Sequence, residues 1–183
     1  EKWDSKQKMA FLINAYNALT VKLILDHYPV KSIKKIGSFF SNPCKLEFFK
    51  LLDGKISSLD PIEHVWLRPK YKDYRIHAAV NCASISCPQL RNEAFIAERL
   101  EEQLNEQMGL WLQDKNRNEI EIKDKTFRAS KIFDWYKDDF QSWGGGIWNV
   151  LKKHLKSSKL PQDIDSFEID YLEYNWDLNE FRN

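Results

Sequence analysis

The sequence lacks the features of several protein classes. It contains only three cysteines, Cys44, Cys82 and Cys87, and a small, odd number of cysteines is a poor basis for a fold held by disulfides. No uninterrupted apolar run approaches the roughly 18 residues that a membrane-spanning helix requires. We therefore expect a fold without obligatory disulfides and without a membrane-spanning segment.

The chain also lacks a charge excess and a nucleotide-binding motif. Its 28 basic and 27 acidic residues give a net charge of +1, whereas proteins that bind nucleic acid through bulk charge need a clustered basic excess. No Gly-x-Gly-x-x-Gly loop is present, and no Lys and Ser or Thr follow the three glycines at 144–146. We expect neither a nucleic-acid partner nor a cofactor.

What the chain does have fits one globular domain. Hydrophobic residues make up 43% and charged residues 30% of the 183 residues, which is enough for one core and short for two. The first residues, Glu-Lys-Trp-Asp, include no initiator Met and no signal peptide, so we expect the chain to start inside a longer protein, whose N-terminal part is missing, or after processing. Residues 1–183 are therefore predicted to form one domain, and its compartment stays open.

A long apolar helix is predicted near the start. From Ser5 to about Tyr28 the sequence has no Gly or Pro, and apolar residues recur at helical spacing on most sides. Such a helix belongs in the middle of a domain. Asn14 and Asn17 interrupt it, and a buried amide without partners would cost about 1–3 kcal/mol.

Turn and capping signals follow. Asp53-Gly54 between apolar runs predicts a hairpin. Asp60-Pro61 predicts the start of a short helix, because Asp caps the free amides and Pro fits the first turn. That helix would carry Glu63 and His64 and stop before Pro69.

Strands and helices do not alternate regularly along the rest of the chain. Residues 74–81 are predicted to form a strand with Ile76, Ala78 and Val80 on one face. Further helices are predicted over 92–113, from 130 onward and over 147–155, and further strands over 119–122, 126–128 and 167–172. This order favours an α+β domain in which the central apolar helix packs with a small mixed or antiparallel sheet.

Reactive side chains concentrate between residues 60 and 88, where two of the four His and two of the three Cys lie. A Cys thiolate with a His base is the nucleophile of many acyl-transfer enzymes. Cys82 is the preferred candidate because Ala79 and Ala83 leave room for a substrate and nearby backbone amides could hold an oxyanion. The alternative is a buried, inert Cys82.

His64 and His77 are the candidate bases. If the segment were extended as far as Cys82, the Cα atoms of His77 and Cys82 would lie roughly 16 Å apart, beyond hydrogen-bond reach. His64 comes from a separate helix and is therefore preferred. Glu63 is predicted to tune or orient the site, although successive helix residues point about 100° apart.

Further polar residues are predicted around this site. Arg75, His77 and Asn81 would form its wall. Glu63 could also pair with Arg75, and Asp73 and Asn81 are other groups that could orient the base. A surface ion pair of little energetic value is the alternative for these charges.

Two rival interpretations use the same side chains. His64, His77, Cys82 and Cys87 are ligand types suited to Zn²⁺, but the Cys-x4-Cys spacing is loose and no second Cys pair exists, so no metal is expected. The second rival interpretation is a disulfide between Cys82 and Cys87, which would leave Cys82 unable to act as a nucleophile.

Motifs across most of the chain carry a family resemblance. They are Phe11-Leu-Ile-Asn-Ala-Tyr-Asn-Ala-Leu-Thr, His27-Tyr-Pro-Val-Lys-Ser-Ile, Leu59-Asp-Pro-Ile-Glu-His, Leu67-Arg-Pro, Arg75-Ile-His-Ala-Ala-Val-Asn-Cys-Ala-Ser, Cys87-Pro-Gln-Leu-Arg-Asn-Glu-Ala-Phe, Phe133-Asp-Trp-Tyr-Lys-Asp-Asp-Phe and Tyr174-Asn-Trp-Asp-Leu-Asn. On these motifs the sequence resembles the family called domain of unknown function 547, which has no settled activity. The resemblance invites comparison with papain-like and transglutaminase-like thiol enzymes. There Cys usually precedes His, so a shared core would be rearranged in chain order here.

The resemblance implies further roles. Asn14, Tyr16 and Asn17 would position the site from the central helix, or else form a buried amide network that fixes helix packing. Cys44 stands where many relatives have an aromatic residue, so it is not expected to be catalytic. Bacterial members resemble exported proteins, which implies an extracytoplasmic location if the protein is bacterial, whereas plant members look like parts of larger intracellular proteins.

These observations predict a cysteine-dependent hydrolase or acyl transferase acting on an amide or thioester of a small peptide-like substrate. Cys82 would attack the carbonyl, and His64 would accept the thiol proton and later protonate the leaving group. Glu63 would orient the site. The alternative is a non-enzymatic protein- or peptide-binding module with an aromatic groove and a structural Cys/His cluster; no protein partner is indicated.

Overall fold

The structure, a computed structural model, describes residues 2–37 and 42–181. Its helices are α1 (Ser5–Asp26), α2 (Leu59–Pro61), α3 (Arg68–Tyr71), α4 (Ile76–Ala79), α5 (Leu100–Gln113), α6 (Lys131–Trp135), α7 (Lys137–Gly144) and α8 (Ile147–His154), and a π-helical turn (Ile62–Leu67) joins α2 to α3. Its strands are β1 (Glu119–Glu121), β2 (Thr126–Ala129) and β3 (Glu168–Tyr171). The predicted α+β class is confirmed.

Helix α1 is the predicted central helix. Asp4 caps it: its carboxylate accepts from the Gln7 amide at 2.8 Å, and the Gln7 side chain accepts from the Asp4 amide at 2.9 Å. Ile13 and Leu23 on this helix are 0% exposed. Capping and burial together therefore define where α1 begins and which face packs inward.

By length and composition, α1 could also cross a membrane. It has 22 residues, and its most apolar window reaches a mean hydropathy of 1.2. Half of that window is buried inside the domain, and core helices of globular domains pass the same test. The helix is therefore only marginal as a membrane span.

The predicted hairpin is present, and the helix after it is longer than predicted. Leu51 and Ile56 exchange backbone hydrogen bonds of 2.9 and 3.2 Å around the turn. The expectation that the next helix stops before Pro69 is wrong, because the helical path continues to Tyr71. Pro69 falls in the first turn of α3, where the π-helical turn ends, so its missing N–H disrupts little.

The predicted strand over 74–81 is wrong. The chain instead forms α4, followed by an extended Val80. Ile76, His77, Ala78 and Ala79 are all buried, so the apparent alternation carried no information about an exposed face. Cys82 therefore does not end a strand. Helical residues rise only about 1.5 Å each, so the 16 Å separation assumed for His77 and Cys82 no longer applies.

Helix α5 begins later than its predicted start at residue 92. A short 3-10 turn (Ala97–Arg99) precedes it. The Asn14 side chain donates to the Phe95 carbonyl at 2.8 Å and accepts from the Phe95 amide at 2.9 Å. These two bonds fasten Phe95 in extended chain to α1 and keep that segment out of the helix.

The sheet is mixed and small. Strand β2 is central: it pairs antiparallel with β1 and parallel with β3, so that Phe127 lies opposite Ile120 and Ile169. The strands and helices predicted after residue 118 are present, and their bounds differ from the predicted ones by a residue or two. The exception is the helix after Ser130, which a break at Tyr136 divides into α6 and α7.

Two hydrophobic clusters make up the core formed by the described residues. One surrounds α1, and the other contains Trp111, Phe127, Phe133 and Phe140. The ring centroids of Phe133 and Phe140 lie 4.5 Å apart, and those of Trp111 and Phe133 lie 4.8 Å apart. The candidate site lies where members of both clusters meet.

Candidate active site

A cavity of about 470 Å³ brings together residues from the whole length of the domain. Its lining includes four of the predicted site residues, Glu63, His64, His77 and Cys82. The helical path from α2 to α3, helix α4 and the loop after α4 supply them. Folding therefore brings both candidate imidazoles and the candidate thiol to one cavity.

The Cys82 thiol is surrounded by hydrogen-bonding groups. Its Sγ lies 2.8 Å from Cys87 Sγ, 3.2 Å from Ser84 Oγ and 3.3 Å from the Tyr174 hydroxyl, and Ser84 Oγ donates to that hydroxyl at 2.9 Å. Hydrogen bonds to its sulfur, the largest from Cys87 and further ones from the Ser84 and Tyr174 hydroxyls, together lower the pKa of Cys82 to about 6, against the opposing effect of burial. A thiolate is therefore the favoured form near neutral pH.

The backbone at Cys82 is held by its neighbours. Ala83 adopts a left-handed conformation with φ +62°, which costs a residue with a Cβ about 1–2 kcal/mol. Its amide donates to Asn81 Oδ1 at 2.6 Å, and the Cys82 amide donates to Cys87 Sγ at 2.9 Å. The backbone amides of Cys82 and Ala83 are therefore both already hydrogen-bonded within the protein.

His77 forms an ion-pair network with α7 and α3. Its Nε2 lies 2.8 Å from Asp139 Oδ2, which also accepts from Arg68 Nε at 2.7 Å. Burial alone would raise the pKa of Asp139, but these two hydrogen bonds lower it to about 2. The ring of His77 stacks on Tyr136 at 3.9 Å between centroids. An ionised carboxylate therefore orients His77 through Nε2, and Nδ1 is the ring nitrogen that makes no hydrogen bond to the side chains of residues 2–37 and 42–181.

His64 and Glu63 have separate partners. His64 Nδ1 lies 2.8 Å from Arg68 Nη1. A guanidinium only donates, so Nδ1 accepts and the proton of neutral His64 is on Nε2. Glu63 is 7% exposed and accepts from the Tyr136 hydroxyl at 2.8 Å. Glu63 therefore does not orient His64 directly; it holds Tyr136, on which His77 stacks.

Four other predicted residues, Asn14, Asn17, Arg75 and Asn81, lie outside the cavity lining. Asn17 donates to the Ala79 carbonyl at 2.9 Å and accepts from the Asn81 amide at 2.8 Å. Asn81 in turn donates to the Pro88 carbonyl at 2.6 Å. These bonds tie α1 to the segments on either side of Cys82, so they position the thiol.

Arg75 has a structural environment of its own. It bonds Asp73 at 2.6 Å, Glu101 at 2.8 Å and Asn105 at 2.9 Å. It forms no ion pair with Glu63 and does not line the cavity. Asp73 is occupied by Arg75 in the same way, so neither residue is placed to orient an imidazole in the cavity.

Tyr16 on α1 presents a buried phenol to the cavity. It is 4% exposed and lines the cavity, and its hydroxyl makes no hydrogen bond within residues 2–37 and 42–181. Burial, and then the charge of Glu63, raise its pKa well above the ordinary value for tyrosine. The hydroxyl therefore keeps its proton and can donate it in a hydrogen bond.

Aromatic residues from the C-terminal third complete the cavity. Trp135, Tyr174 and Trp176 form a cluster with ring centroids 4.6 to 5.7 Å apart, and Lys34 Nζ lies 3.7 Å from the Trp176 ring centroid. All four line the cavity. Sequence reasoning did not select Asp139, Tyr136 or this cluster, although all except Lys34 lie in the motifs quoted above.

The zinc interpretation receives no geometric support. Within the described ranges 2–37 and 42–181, no group of three or more His, Cys, Asp and Glu side chains is arranged to hold a metal ion. All three cysteines are free thiols.

Comparison with known protein families gives a match. The family model described as "Protein of unknown function, DUF547" matches residues 1–112. No curated protein and no solved structure shows significant similarity to the chain. The matched region contains Tyr16, Glu63, His64, His77 and Cys82, whereas Tyr136, Asp139 and the aromatic cluster lie beyond it.

Proposed function

We propose that this chain, which belongs to the DUF547 family of proteins of unknown function, is a cysteine-dependent hydrolase or acyl transferase. Its substrate would be an amide or thioester of a small peptide-like molecule. The observation that carries the proposal is one cavity lined by an acidic thiol, Cys82, and by His77, an imidazole bonded to the buried carboxylate of Asp139. Thiol acyl transfer uses these groups.

The reaction begins at Cys82. Its thiol gives its proton to an imidazole, which becomes imidazolium; the thiolate attacks the substrate carbonyl carbon, a C–S bond forms, and the carbonyl electron pair moves to oxygen. Collapse of this intermediate restores the carbonyl and expels the amine or thiol, which takes its proton from imidazolium. Water, or an acceptor amine in a transferase, then attacks the thioester, gives its proton to the imidazole and releases the thiolate.

His77 is the better base, although His64 was preferred from sequence. That preference depended on an extended chain up to Cys82, and the chain is helical there. His77 has an ionised partner, Asp139, that stabilises its imidazolium. His64 instead accepts from the cation of Arg68, so protonating that nitrogen would break the bond and oppose two cations.

Tyr16 is the candidate donor to the oxyanion. The amides of Cys82 and Ala83, on which a backbone oxyanion hole would depend, already bond Cys87 and Asn81. The Tyr16 hydroxyl is protonated, has no partner within the described residues and faces the same cavity. A donor of this kind contributes to catalysis only when negative charge develops on the substrate oxygen.

The aromatic cluster Trp135–Tyr174–Trp176 supports a peptide-like substrate. Trp135 is 45% exposed, and stacked aromatic walls bind apolar side chains and flat amide groups. The same wall supports the second candidate function, a peptide-binding module without turnover. A Cys82→Ser variant that loses turnover but still binds peptides supports the enzyme; absence of turnover in both forms supports the module.

An acylation experiment tests the proposal. Reduced protein is mixed with p-nitrophenyl acetate, release of nitrophenolate is followed, and the acetylated residue is mapped by mass spectrometry. We expect a rapid burst, an acetyl group on Cys82 and loss of both in Cys82→Ser, whereas Cys44→Ser behaves as wild type. Acetyl groups elsewhere, with Cys82 unmodified, would exclude Cys82 as the nucleophile.

The two histidines are compared in the same assay. His77→Gln is expected to slow turnover about 10²–10⁴-fold, the usual contribution of a general acid–base. His64→Gln keeps a side chain that can accept from Arg68 and is expected to stay within about tenfold of wild type. The reverse order would reassign the base to His64.

A further inference from the structure

The sulfur atoms of Cys82 and Cys87 lie close enough for the two residues to form a disulfide. Their sulfur atoms lie 2.8 Å apart, and both are free thiols. A disulfide needs a separation of about 2.05 Å, so the two sulfurs have less than about 1 Å left to close.

The loop that carries them is held in this geometry from outside. Ile85 donates to the Asp177 carbonyl at 2.9 Å, Ser86 donates to the Asn175 carbonyl at 3.2 Å, and Ser84 forms a bridge with Leu178. None of these bonds uses a sulfur atom. These three contacts can therefore stay in place when the two sulfurs join.

We propose that Cys82 and Cys87 form a site of reversible oxidation, where thiol–disulfide exchange with a small disulfide such as glutathione disulfide produces an intramolecular disulfide. The proposal is independent of any hydrolytic activity. If the chain is also a hydrolase, oxidation blocks its nucleophile and a small thiol restores it.

The exchange takes place in two steps. The Cys82 thiolate attacks one sulfur of glutathione disulfide, which forms a mixed disulfide and releases one glutathione thiolate. The Cys87 thiol then gives up its proton to that thiolate and attacks the Cys82 sulfur, which forms the internal bond and releases the second glutathione thiolate. Two electrons pass from the protein to glutathione disulfide, and the single thiol proton ends on glutathione.

Burial determines which cysteine reacts first. Both cysteines line the cavity, but Cys82 is partly exposed whereas Cys87 is only 3% exposed. Burial, and then the Cys82 side chain, raise the pKa of Cys87 well above its ordinary value. Once Cys82 is capped its charge is gone, so Cys87 becomes easier to ionise and can act as the resolving thiol.

Cys44 is the built-in control. It also lines the cavity, but burial raises its pKa to about 12, so it should react poorly. Trypsin separates the alternatives: residues 76–91 contain both Cys82 and Cys87 in one peptide, whereas Cys44 lies in the peptide 36–45.

The experiment incubates reduced, folded protein with glutathione disulfide, blocks remaining thiols with N-ethylmaleimide under acid quench, and maps tryptic peptides without reduction. We expect peptide 76–91 to lose the mass of two hydrogen atoms and to bind no maleimide. Excess reduced glutathione should reverse this. Cys87→Ser should stop at the mixed disulfide on Cys82, and Cys82→Ser should react at least about tenfold more slowly.

Three results would overturn the proposal. A stable glutathione adduct on wild-type Cys82 shows that Cys87 does not resolve it; because the adduct also shows that Cys82 is reactive, this result does not contradict the hydrolase proposal. A bond between peptides 36–45 and 76–91 shows that Cys44 is the partner. An unmodified peptide 76–91 overturns both this site and the reactivity of Cys82. These three results come from wild-type protein, so they hold even if a variant fails to fold.

Discussion

At the scale of single residues, the acidity of Cys82 depends first on Cys87. Removing the sulfur in Cys87→Ala takes away the hydrogen bond that contributes most to the lowered pKa. The pKa of Cys82 should then rise toward its ordinary value of 9.0, and the rate of iodoacetamide alkylation at pH 7 should fall about tenfold. Cys44→Ala is the matched control. An unchanged rate would show that Cys87 does not acidify Cys82.

Tyr16 is also tested as a single residue. Tyr16→Phe removes one hydroxyl and keeps the ring that packs in the core around α1. If the hydroxyl bonds the oxyanion, kcat for a small ester should fall about 10²-fold while KM stays nearly constant. The pH profile of Cys82 alkylation should not move. A change in KM alone would assign Tyr16 to ground-state binding.

The ionised carboxylate of Asp139 also contributes to the stability of the folded protein. Its pKa of about 2 lies below the ordinary 3.8, so its ionised form stabilises the folded state above about pH 4, and this contribution is lost as pH falls through about 2. The shift corresponds to on the order of 2 kcal/mol. The loss in unfolding free energy caused by Asp139→Asn should therefore be larger at pH 7 than at pH 3. Urea denaturation of wild type and variant at both pH values measures it.

The matched control is Asp138→Asn, which removes an exposed carboxylate from the same first turn of α7. It should change the unfolding free energy by less than about 0.5 kcal/mol. A deficit for Asp139→Asn that is the same at both pH values would show that the carboxylate is not stabilised by His77 and Arg68.

At the scale of elements, the π-helical turn Ile62–Leu67 sets the directions of Glu63 and His64. Such turns hold one residue more than an α-helical turn and are frequent at functional sites. Deleting Val65, which is 55% exposed, should restore α-helical register and move Glu63 relative to Tyr136. We expect helical circular dichroism to persist and ester turnover to fall more than about tenfold. Val65→Ala should stay near wild type, and an active deletion variant would contradict a role for the turn.

Elements with a clear signal could be predicted from sequence. The uninterrupted apolar spacing predicts α1, and Asp53-Gly54 predicts the turn between Leu51 and Ile56. Residues 76–79 could not be assigned, because a fully buried helix of small and apolar residues looks like a buried strand. The late start of α5 depends on Asn14 binding Phe95, a contact between residues 81 positions apart.

At the scale of the whole molecule, the site needs both clusters of the core. Cys82, His77 and Glu63 could be selected because they lie close in sequence and have reactive side chains. Asp139 could not, because its bond to His77 joins residues 62 positions apart, and Tyr136 reaches Glu63 over 73 positions. Neither carries a local signal that separates it from an ordinary polar residue.

The central claim is that folding makes Cys82 an activated nucleophile. Its most direct test is the pH dependence of iodoacetamide alkylation at Cys82 in reduced protein, read by mapping peptide 76–91, in the folded state and in urea. The structure predicts a half-maximal rate near pH 6 when folded and a shift toward the ordinary thiol pKa of 9.0 when unfolded. A folded protein whose Cys82 is unreactive, or titrates as it does in urea, would contradict the claim.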